Sequence, residues 1–167
     1  MSRRWFPTAI LVVLGVILAA ITWFGVHIWR LDHGFGQAAG MERLLAYYAV
    51  DHGGRMPSAP SELLEKGYCY VGDKGCWIVP RRDNSRYKAD YLNPTVTVFH
   101  PDHFDVAWGV LPTDVDVTGK VVSRDRLLLL PASASKARYL QPACVYASEL
   151  IARAMLKQVE SPASRPQ

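Results

Sequence analysis

Two histidines and a carboxylate lie within four residues of one another in this chain, in the stretch His100-Pro101-Asp102-His103. Imidazole nitrogens and carboxylate oxygens bind zinc and other transition metals, and the same groups can act as general acids or bases. Pro101 forces a turn, so the two histidines do not share one face of a helix. The stretch therefore indicates a polar turn between two strands, and a metal site at His100, Asp102 and His103 stays as the alternative hypothesis.

A second set of oxygen-bearing side chains partly follows the spacing of a calcium-binding loop. Asp114, Asp116 and Thr118 occupy ligand positions, Gly119 lies at the turn, and Asp125 occupies the closing position. A calcium loop normally closes with Glu and lies between two helices, whereas valines alternate through this segment. The alternation predicts a β-hairpin around Thr118-Gly119, with calcium binding as the alternative.

The chain has three cysteines, and two of them are close in sequence. Cys69 and Cys76 flank the turn-forming residues Gly72-Asp73, and a two-residue turn there would place the two cysteines opposite each other on a hairpin. A disulfide suits an exported domain, but six intervening residues also allow other registers. The sequence leaves the disulfide and the free thiols equally open. Cys144 is predicted to be a small buried apolar residue.

The remaining sequence contains no signature of catalysis. No serine lies in a nucleophile elbow, and no glycine-rich loop could hold a phosphate group. Cys144 has no histidine near it in the sequence that could activate its thiol. We therefore expect a protein without enzymatic activity, and with no cofactor unless calcium binds at the loop described above.

An uninterrupted apolar run from Ala9 to Trp29 decides how these residues are positioned. As a helix the run would extend about 31 Å, which matches the hydrocarbon core of a bilayer. Arg3 and Arg4 precede it, and this basic excess favours a cytoplasmic N-terminus at residues 1–8. The run is too long for the apolar part of a cleaved signal peptide. The sequence thus predicts a single-pass signal-anchor protein of the cell (inner) membrane, with a transmembrane anchor at 9–29 and an exported domain.

Two small residues in the anchor, Gly15 and Ala19, have the spacing that lets another membrane helix approach closely. Small residues are also common in membrane helices that have no such partner. Helix packing at Gly15 and Ala19 is therefore a hypothesis, and it accompanies an alternative function: an accessory or binding subunit of a larger membrane protein complex.

The charge balance argues against nucleic acid as a partner. The chain has 19 Lys/Arg and 15 Asp/Glu, and three of the basic residues, Arg3, Arg4 and Arg30, flank the anchor. The remainder is nearly neutral, whereas nucleic-acid-binding domains carry a basic surface. We expect the partners to be the membrane and other proteins of a membrane complex.

The pattern after the anchor predicts an α+β fold. Gly34, Gly36 and Gly40 predict a stalk over residues 30–40. A helix follows from Met41 to the glycines at 53–54, with Glu42 and Arg43 outside its apolar stripe. The other predicted elements are a short helix from Ser58 to Gly67, strands within 68–71, 76–79, 95–99, 104–110, 115–122 and 127–130, a connector at 131–142 and a closing helix from Pro142 to Val159. A small, mainly antiparallel sheet thus lies in an α+β domain at 41–159, and a disordered tail follows at 160–167.

The stretch Leu44 to Pro57, followed by Glu62 to Tyr68, resembles the helix-to-sheet junction of type II secretion pseudopilins and related type IV pilin-like proteins. In that pattern a helix ends in a Tyr…Asp-x-Gly-x-x-Pro turn, and a short Leu-rich helix and a Gly-Tyr pair lead into the sheet. The resemblance covers about 25 residues and the general layout of an anchor followed by a helix and a sheet. It implies a periplasmic pilin-like domain.

The start of the apolar run departs from the pilin-like pattern. It reads Trp5-Phe6-Pro7-Thr8, with no Gly of a prepilin processing site before it and no Glu inside it. We therefore expect a permanent anchor. The favoured function is that of a structural or assembly protein in a secretion or envelope machine, and a metal-dependent enzyme centred on His100 and His103 is the least favoured alternative.

Overall fold

The computed structural model describes residues 5–80 and 97–160, and the side chains from Ile10 to Val159 within those ranges. Residues 1–4 of the predicted cytoplasmic segment, the first two residues of the predicted strand at 95–99 and the tail at 161–167 lie outside the described residues. The chain divides into two compact units, one ending at His33 and one beginning at Gly34.

The first unit carries the apolar part of helix α1 (Trp5–Asp51). The large apolar side chains from Ile10 to Trp29 are all exposed. Thr22 satisfies its hydroxyl within the helix by donating a hydrogen bond to the Leu18 carbonyl (2.8 Å). In the described part of the chain, α1 is the one helix that is long and apolar enough to cross a membrane.

The predicted stalk at 30–40 is wrong, because α1 stays helical through these residues. Glycine lowers helix propensity, but tertiary packing overrides it here. A Cβ atom on Gly40 would lie 2.5 Å from the ring of Phe99, so this glycine lets the helix approach the sheet closely. From Met41 to Ala49 every residue of α1 except Arg43 is buried, and this segment is the centre of the core of the second unit.

The strands of the second unit are short and antiparallel, which confirms the predicted α+β fold. Strands β1 (Tyr70–Val71), β2 (Trp77–Val79) and β3 (Thr97–Phe99) form one sheet in that order. Two further pairs are described: β4 (Phe104–Val106) with β7 (Leu129–Pro131), and β5 (Lys120–Val121) with β6 (Arg126–Leu127). Helix α2 (Pro60–Glu65) precedes the first sheet, and α3 (Ala134–Glu160) ends the described chain.

Helix α3 begins eight residues earlier than predicted, and Pro142 lies inside it. The prediction started the helix at Pro142 because proline favours the first turn of a helix. The structure instead extends it through Lys136, Arg138 and Leu140, which are all good helix formers. The helix packs mainly on β7. Its buried side chains include Cys144, Ala147, Ile151 and Met155, as the predicted apolar stripe requires.

One buried polar contact joins α3 to β7. The Ser148 hydroxyl, completely buried, accepts a hydrogen bond from the Leu129 N–H (3.0 Å) and lies 3.3 Å from the Leu129 carbonyl oxygen, to which it donates. Leu129 pairs with Val106 on the other side of its strand. Ser148 therefore satisfies the free edge of β7, which would otherwise bury unpaired backbone groups.

Candidate functional site at the end of α1

The chain reverses direction where α1 ends, and the two glycines at 53–54 make this turn possible. Gly53 and Gly54 have φ values of 63° and 88°, a left-handed conformation that glycine adopts without strain. The Gly54 N–H donates to the Ala49 carbonyl (2.7 Å), which caps the helix. A side chain at Gly54 would also collide with the backbone of Met155 on α3.

The reversal brings α2 back beside the last turn of α1. Leu63 of α2 is completely buried, as expected for the residue that holds this helix against the domain. Ala59 occupies the N-cap position and makes no capping hydrogen bond. Instead, Glu62 in the first turn accepts hydrogen bonds from both the N–H and the hydroxyl of Ser58, each at 2.8 Å. Glu62 therefore holds the residue that precedes the N-cap against the first turn of α2.

Four side chains from the two helices and the following turn meet here, and we name them the junction cluster: Tyr48, His52, Glu62 and Lys66. The Tyr48 hydroxyl donates to Glu62 Oε1. Lys66 Nζ lies 2.9 Å from Glu62 Oε1, 3.3 Å from the Tyr48 hydroxyl and 3.1 Å from His52 Nε2. The rings of Tyr48 and His52 stack with centroids 3.9 Å apart. Each polar group of the cluster thus has a partner inside it.

The tautomer of His52 follows from its two contacts. Its Nδ1 lies 2.9 Å from the Tyr48 carbonyl oxygen, which can only accept a hydrogen bond. Nδ1 therefore carries the proton, and Nε2 is left to accept from the Lys66 ammonium group. A histidine protonated on both nitrogens would lose this second contact.

Two further contacts extend the cluster at its edges. Arg55 approaches Glu62 with its guanidinium group 3.7 Å from the carboxylate. Tyr68, at the entry to the first sheet, donates to Asp51 Oδ2 at 2.6 Å. The last turn of α1 is therefore tied both to α2 and to the residue that leads into β1.

The hydrogen bonds of the junction cluster hold Glu62 and Lys66 in their charged forms. Hydrogen bonds from Tyr48, Lys66 and Ser58 hold the pKa of Glu62 well below its usual range. The bonds to Glu62 and Tyr48 raise the pKa of Lys66. A carboxylate held ionised is a poor general acid, and an amine held as ammonium is a poor nucleophile.

The predicted metal site at His100, Asp102 and His103 forms the polar turn that Pro101 indicated. Pro101–His103 is a 3₁₀ turn, and the two imidazole rings lie 5.4 Å apart. The Asp102 carboxylate instead faces Lys136 at 3.5 Å. Within the described ranges, no three His, Cys, Asp or Glu side chains are grouped as metal ligands.

The predicted calcium ligands are engaged in a hairpin turn. Asp116 Oδ1 accepts from the Thr118 N–H (2.8 Å), the Thr118 hydroxyl (2.6 Å) and the Lys120 N–H (3.0 Å). Bonds from Thr118 and Lys120 lower the pKa of Asp116. Asp125 pairs with the Lys120 ammonium group, and Asp114 Oδ2 accepts from a backbone N–H (3.4 Å). The structure therefore does not bring Asp114, Asp116, Thr118 and Asp125 together around one point.

The cysteine pairing at Cys69 and Cys76 is not formed, and all three cysteines are free. The predicted hairpin exists, but its register differs. Tyr70 pairs with Ile78 and Val71 with Trp77, because a longer turn at 72–76 replaces the two-residue turn. Cys76 therefore lies in the turn, where its thiol donates to the Asp73 carbonyl (3.0 Å). Burial raises the pKa of Cys69 and of Cys144 to about 12, so both thiols stay protonated.

The remaining predicted site, Gly15 and Ala19, lies on the exposed apolar part of α1. Apart from the adjoining residues and nearby backbone of α1 itself, no atom of the described chain lies within 4 Å of the position of a Cβ on Gly15. The surface is open to another helix, and the structure neither fills nor blocks it.

Sequence reasoning missed the burial of an ionisable residue, Glu42. Glu42 was expected outside the apolar stripe, yet it is 4% exposed, and its Oε1 has no hydrogen-bond partner among the described residues. Burial raises the pKa of Glu42 to about 8, although the neighbouring Arg43 acts in the opposite direction. Nothing in the sequence signals this, because the burial comes from elements that pack around a helix on nearly all sides.

Comparison with protein-family models, with curated proteins and with solved structures found no match to this chain.

Proposed function

We propose that this protein is a single-pass membrane protein whose α+β domain is exported and has a structural role, in the assembly of a secretion or envelope machine. The observation that carries the proposal is the exposed apolar half of α1. Its side chains from Ile10 to Trp29 find no cover within the described chain. A soluble protein rarely exposes so large an apolar surface, and a bilayer would cover it.

The orientation rests on charge and on aromatic residues. Arg3 and Arg4 precede the apolar run and favour a cytoplasmic N-terminus in the inner membrane. Trp23 and Trp29 lie near its other end, where aromatic side chains suit the membrane interface. Each stacks on a histidine one turn later, Trp23 on His27 and Trp29 on His33.

A structural role is supported by the chemistry of the exported domain. The polar groups of the junction cluster bond to one another, and Cys69 and Cys144 are buried as neutral thiols. The junction cluster also falls within the stretch that resembles pseudopilins, Leu44 to Tyr68. There it ties a helix to the entry of a sheet, which is the arrangement a pilin-like domain would use.

Membrane insertion is tested with the double variant Leu14→Arg/Ile17→Arg, expressed as the full chain. Each arginine at the centre of a membrane helix costs about 2.5–3.5 kcal/mol of insertion free energy. We expect the wild type to resist extraction by alkaline carbonate and the variant to be extracted or degraded. The matched control is Leu111→Arg/Val117→Arg, two exposed apolar residues outside the anchor. Wild-type protein in the soluble fraction would remove the basis of the proposal.

The structural role is tested by isolating the tagged full chain in mild detergent and identifying the proteins that co-purify. Recovery with pilin-like proteins and a secretion platform supports the assembly role. Recovery as a stoichiometric subunit of an unrelated membrane complex supports the accessory-subunit alternative. In that case Gly15→Leu/Ala19→Leu should reduce the association, whereas Val13→Leu/Ile17→Leu on the opposite face of the helix should not.

A further inference from the structure

Helix α1 enters the second unit at Gly34, five residues after Trp29 at the end of the apolar run. Over five residues a chain extends at most about 18 Å, and a helix rises about 7.5 Å. If the run spans a bilayer, the part of the domain that surrounds Gly34 must therefore lie close to the bilayer surface. This conclusion follows from the length of the chain, and it rests on the proposed membrane anchor.

Helix α3 starts at the same end of the domain as Gly34. A Cβ atom on Gly34 would lie 3.0 Å from the carbonyl oxygen of Tyr139, in the second turn of α3. Beyond the other end of α1, a Cβ atom on Gly54 would meet the carbonyl oxygen of Met155, near the end of α3. The two helices therefore run in the same direction through the domain. The start of α3 lies on the side nearest the anchor, and its last turns lie farthest from it.

The turn after β3 lies at this end of the domain as well. Gln37, one helical turn after Gly34, accepts a hydrogen bond from the His100 N–H at its Oε1 (2.8 Å). Lys136 Nζ, in the first turn of α3, lies 3.5 Å from the Asp102 carboxylate and 3.4 Å from the Asp102 carbonyl oxygen. We name this end of the domain the entry face, and it includes Phe35, Asp102, Lys136 and Arg138.

The charges at the entry face leave one cation over. Lys136 is neutralised by Asp102, and Arg30 and Asp32, which lie between the apolar run and Gly34, have equal and opposite charges. Arg138 is exposed, and it forms no ion pair or hydrogen bond within the described ranges. Its guanidinium group is therefore available to an anion, and guanidinium groups bind phosphate well.

The entry face also has an exposed aromatic ring. Phe35 is 43% exposed and lies on α1 six residues beyond Trp29, so it extends the exposed apolar surface of the anchor into the domain. Aromatic side chains suit the interface between the hydrocarbon core and water. A free cation and an exposed ring at the end of the domain nearest the anchor are what a phospholipid surface would bind.

We propose that the entry face rests on the bilayer surface, where Arg138 binds the phosphate groups of anionic phospholipids and Phe35 lies among the headgroups. The headgroup layer is about 5–7.5 Å thick, and a helix rise of about 7.5 Å from Trp29 brings Gly34 to its outer edge. The contact would hold the exported domain in one orientation on the membrane. An anionic bilayer holds it more firmly than a zwitterionic one.

The contact is tested by hydrogen exchange of the full chain in two sets of lipid nanodiscs. One set contains phosphatidylcholine alone, and the other contains equal parts of phosphatidylcholine and phosphatidylglycerol. We expect the amides at 100–103 and 134–138 to exchange roughly fivefold more slowly in the anionic nanodiscs, the factor that one basic side chain near an anionic surface contributes. The amides at 53–57, beyond the far end of α1, should exchange equally in both.

The double variant Phe35→Ser/Arg138→Glu removes the ring and reverses the charge, so it should abolish the difference between the two lipids. The matched control is Lys157→Glu/Val159→Ser, which changes an exposed basic and an exposed apolar residue in the last turns of α3. The control should keep the wild-type difference. High salt, which screens charges, should shrink that difference in the wild type.

Equal exchange of the wild-type entry face in the two lipids overturns the proposal, and this comparison needs no variant to fold. A difference that survives in Phe35→Ser/Arg138→Glu overturns the assignment to these two residues. Both results leave the membrane anchor intact. A chain that does not enter nanodiscs at all removes the anchor and the entry face together, so the two failures are distinguishable.

Discussion

Two glutamates of the same domain, Glu62 in the junction cluster and Glu42 on the buried part of α1, have pKa values that are shifted in opposite directions. Glu62 accepts hydrogen bonds from Tyr48, Lys66 and Ser58. Glu42 lies deeper, and its Oε1 makes no hydrogen bond to the part of the chain that the structure describes. Hydrogen bonding lowers the pKa of the first carboxyl, and burial raises that of the second. In this domain the number of hydrogen bonds to a carboxyl group, rather than its burial alone, decides which protonation state the fold favours.

The two regions therefore respond to pH with opposite signs. The stabilisation from Glu62 is present above the pKa of an exposed glutamate, 4.5, and is lost as the pH falls through its lowered folded pKa. The stabilisation from protonated Glu42 is greatest in acid and is lost as the pH rises to about 8. We expect the domain to be most stable near pH 4.5, because the Glu62 contribution is complete above that value and the Glu42 contribution is complete below it.

The largest loss of stability is expected when the Tyr48 ring, which lies at the centre of the junction cluster, is removed. Tyr48 is completely buried and stacks on His52. We expect Tyr48→Ala to lower the free energy of unfolding by about 3–5 kcal/mol, measured by urea denaturation. Tyr70→Ala, at a tyrosine that is 53% exposed, is the control and should cost far less. Equal losses in the two variants would mean that the junction cluster does not hold the domain together.

A smaller effect is expected at Ser148, which is buried as deeply as Glu42 but fully bonded. Ser148→Ala leaves the N–H and the carbonyl of Leu129 without their partner. The free energy of unfolding should fall by about 1–3 kcal/mol, the cost of unpaired buried backbone groups. Ser123→Ala, at an exposed serine, should change it little. A neutral result at Ser148 would show that water reaches the free edge of β7.

The smallest effect is expected from the charge of Glu62, because the cations that face it, Lys66 and Arg55, are exposed and surface ion pairs contribute little. Glu62→Gln should destabilise the domain at pH 7 by less than Tyr48→Ala does. The difference from the wild type should shrink as the pH falls below 4.5, because the unfolded wild-type chain then takes up a proton that the folded carboxylate does not. Urea midpoints at pH 7 and in acid measure this, with Glu65→Gln as the control. A difference that stays constant with pH contradicts the assignment.

The elements that the sequence predicts well are those set by local signals. The end of α1 follows from Gly53-Gly54, the position of α2 from Pro60 and Leu63, and the hairpin after Tyr68 from its turn-forming residues. The alternating valines correctly predict a turn at Thr118-Gly119. Each of these depends on residues only a few positions apart in the chain.

The features that sequence reasoning missed depend on distant residues. The glycines at 34–40 predict a break in the helix, but Gly40 makes room for Phe99, which lies 59 positions away in the sequence. The Cys69–Cys76 pairing required a register that the longer turn at 72–76 does not allow. Glu42 reads as a surface residue because its local pattern is polar, and its burial follows from packing that local periodicity does not encode.

Because two of the three cysteines are buried, a thiol reagent should react with the third, Cys76. Cys69 and Cys144 are buried, whereas the thiol of Cys76 lies in the turn between β1 and β2 and is partly accessible. A maleimide reagent that does not cross membranes should thus modify one site on the native protein without any engineered cysteine. Labelling of intact cells, compared with opened cells, would report directly on which side of the bilayer that turn resides.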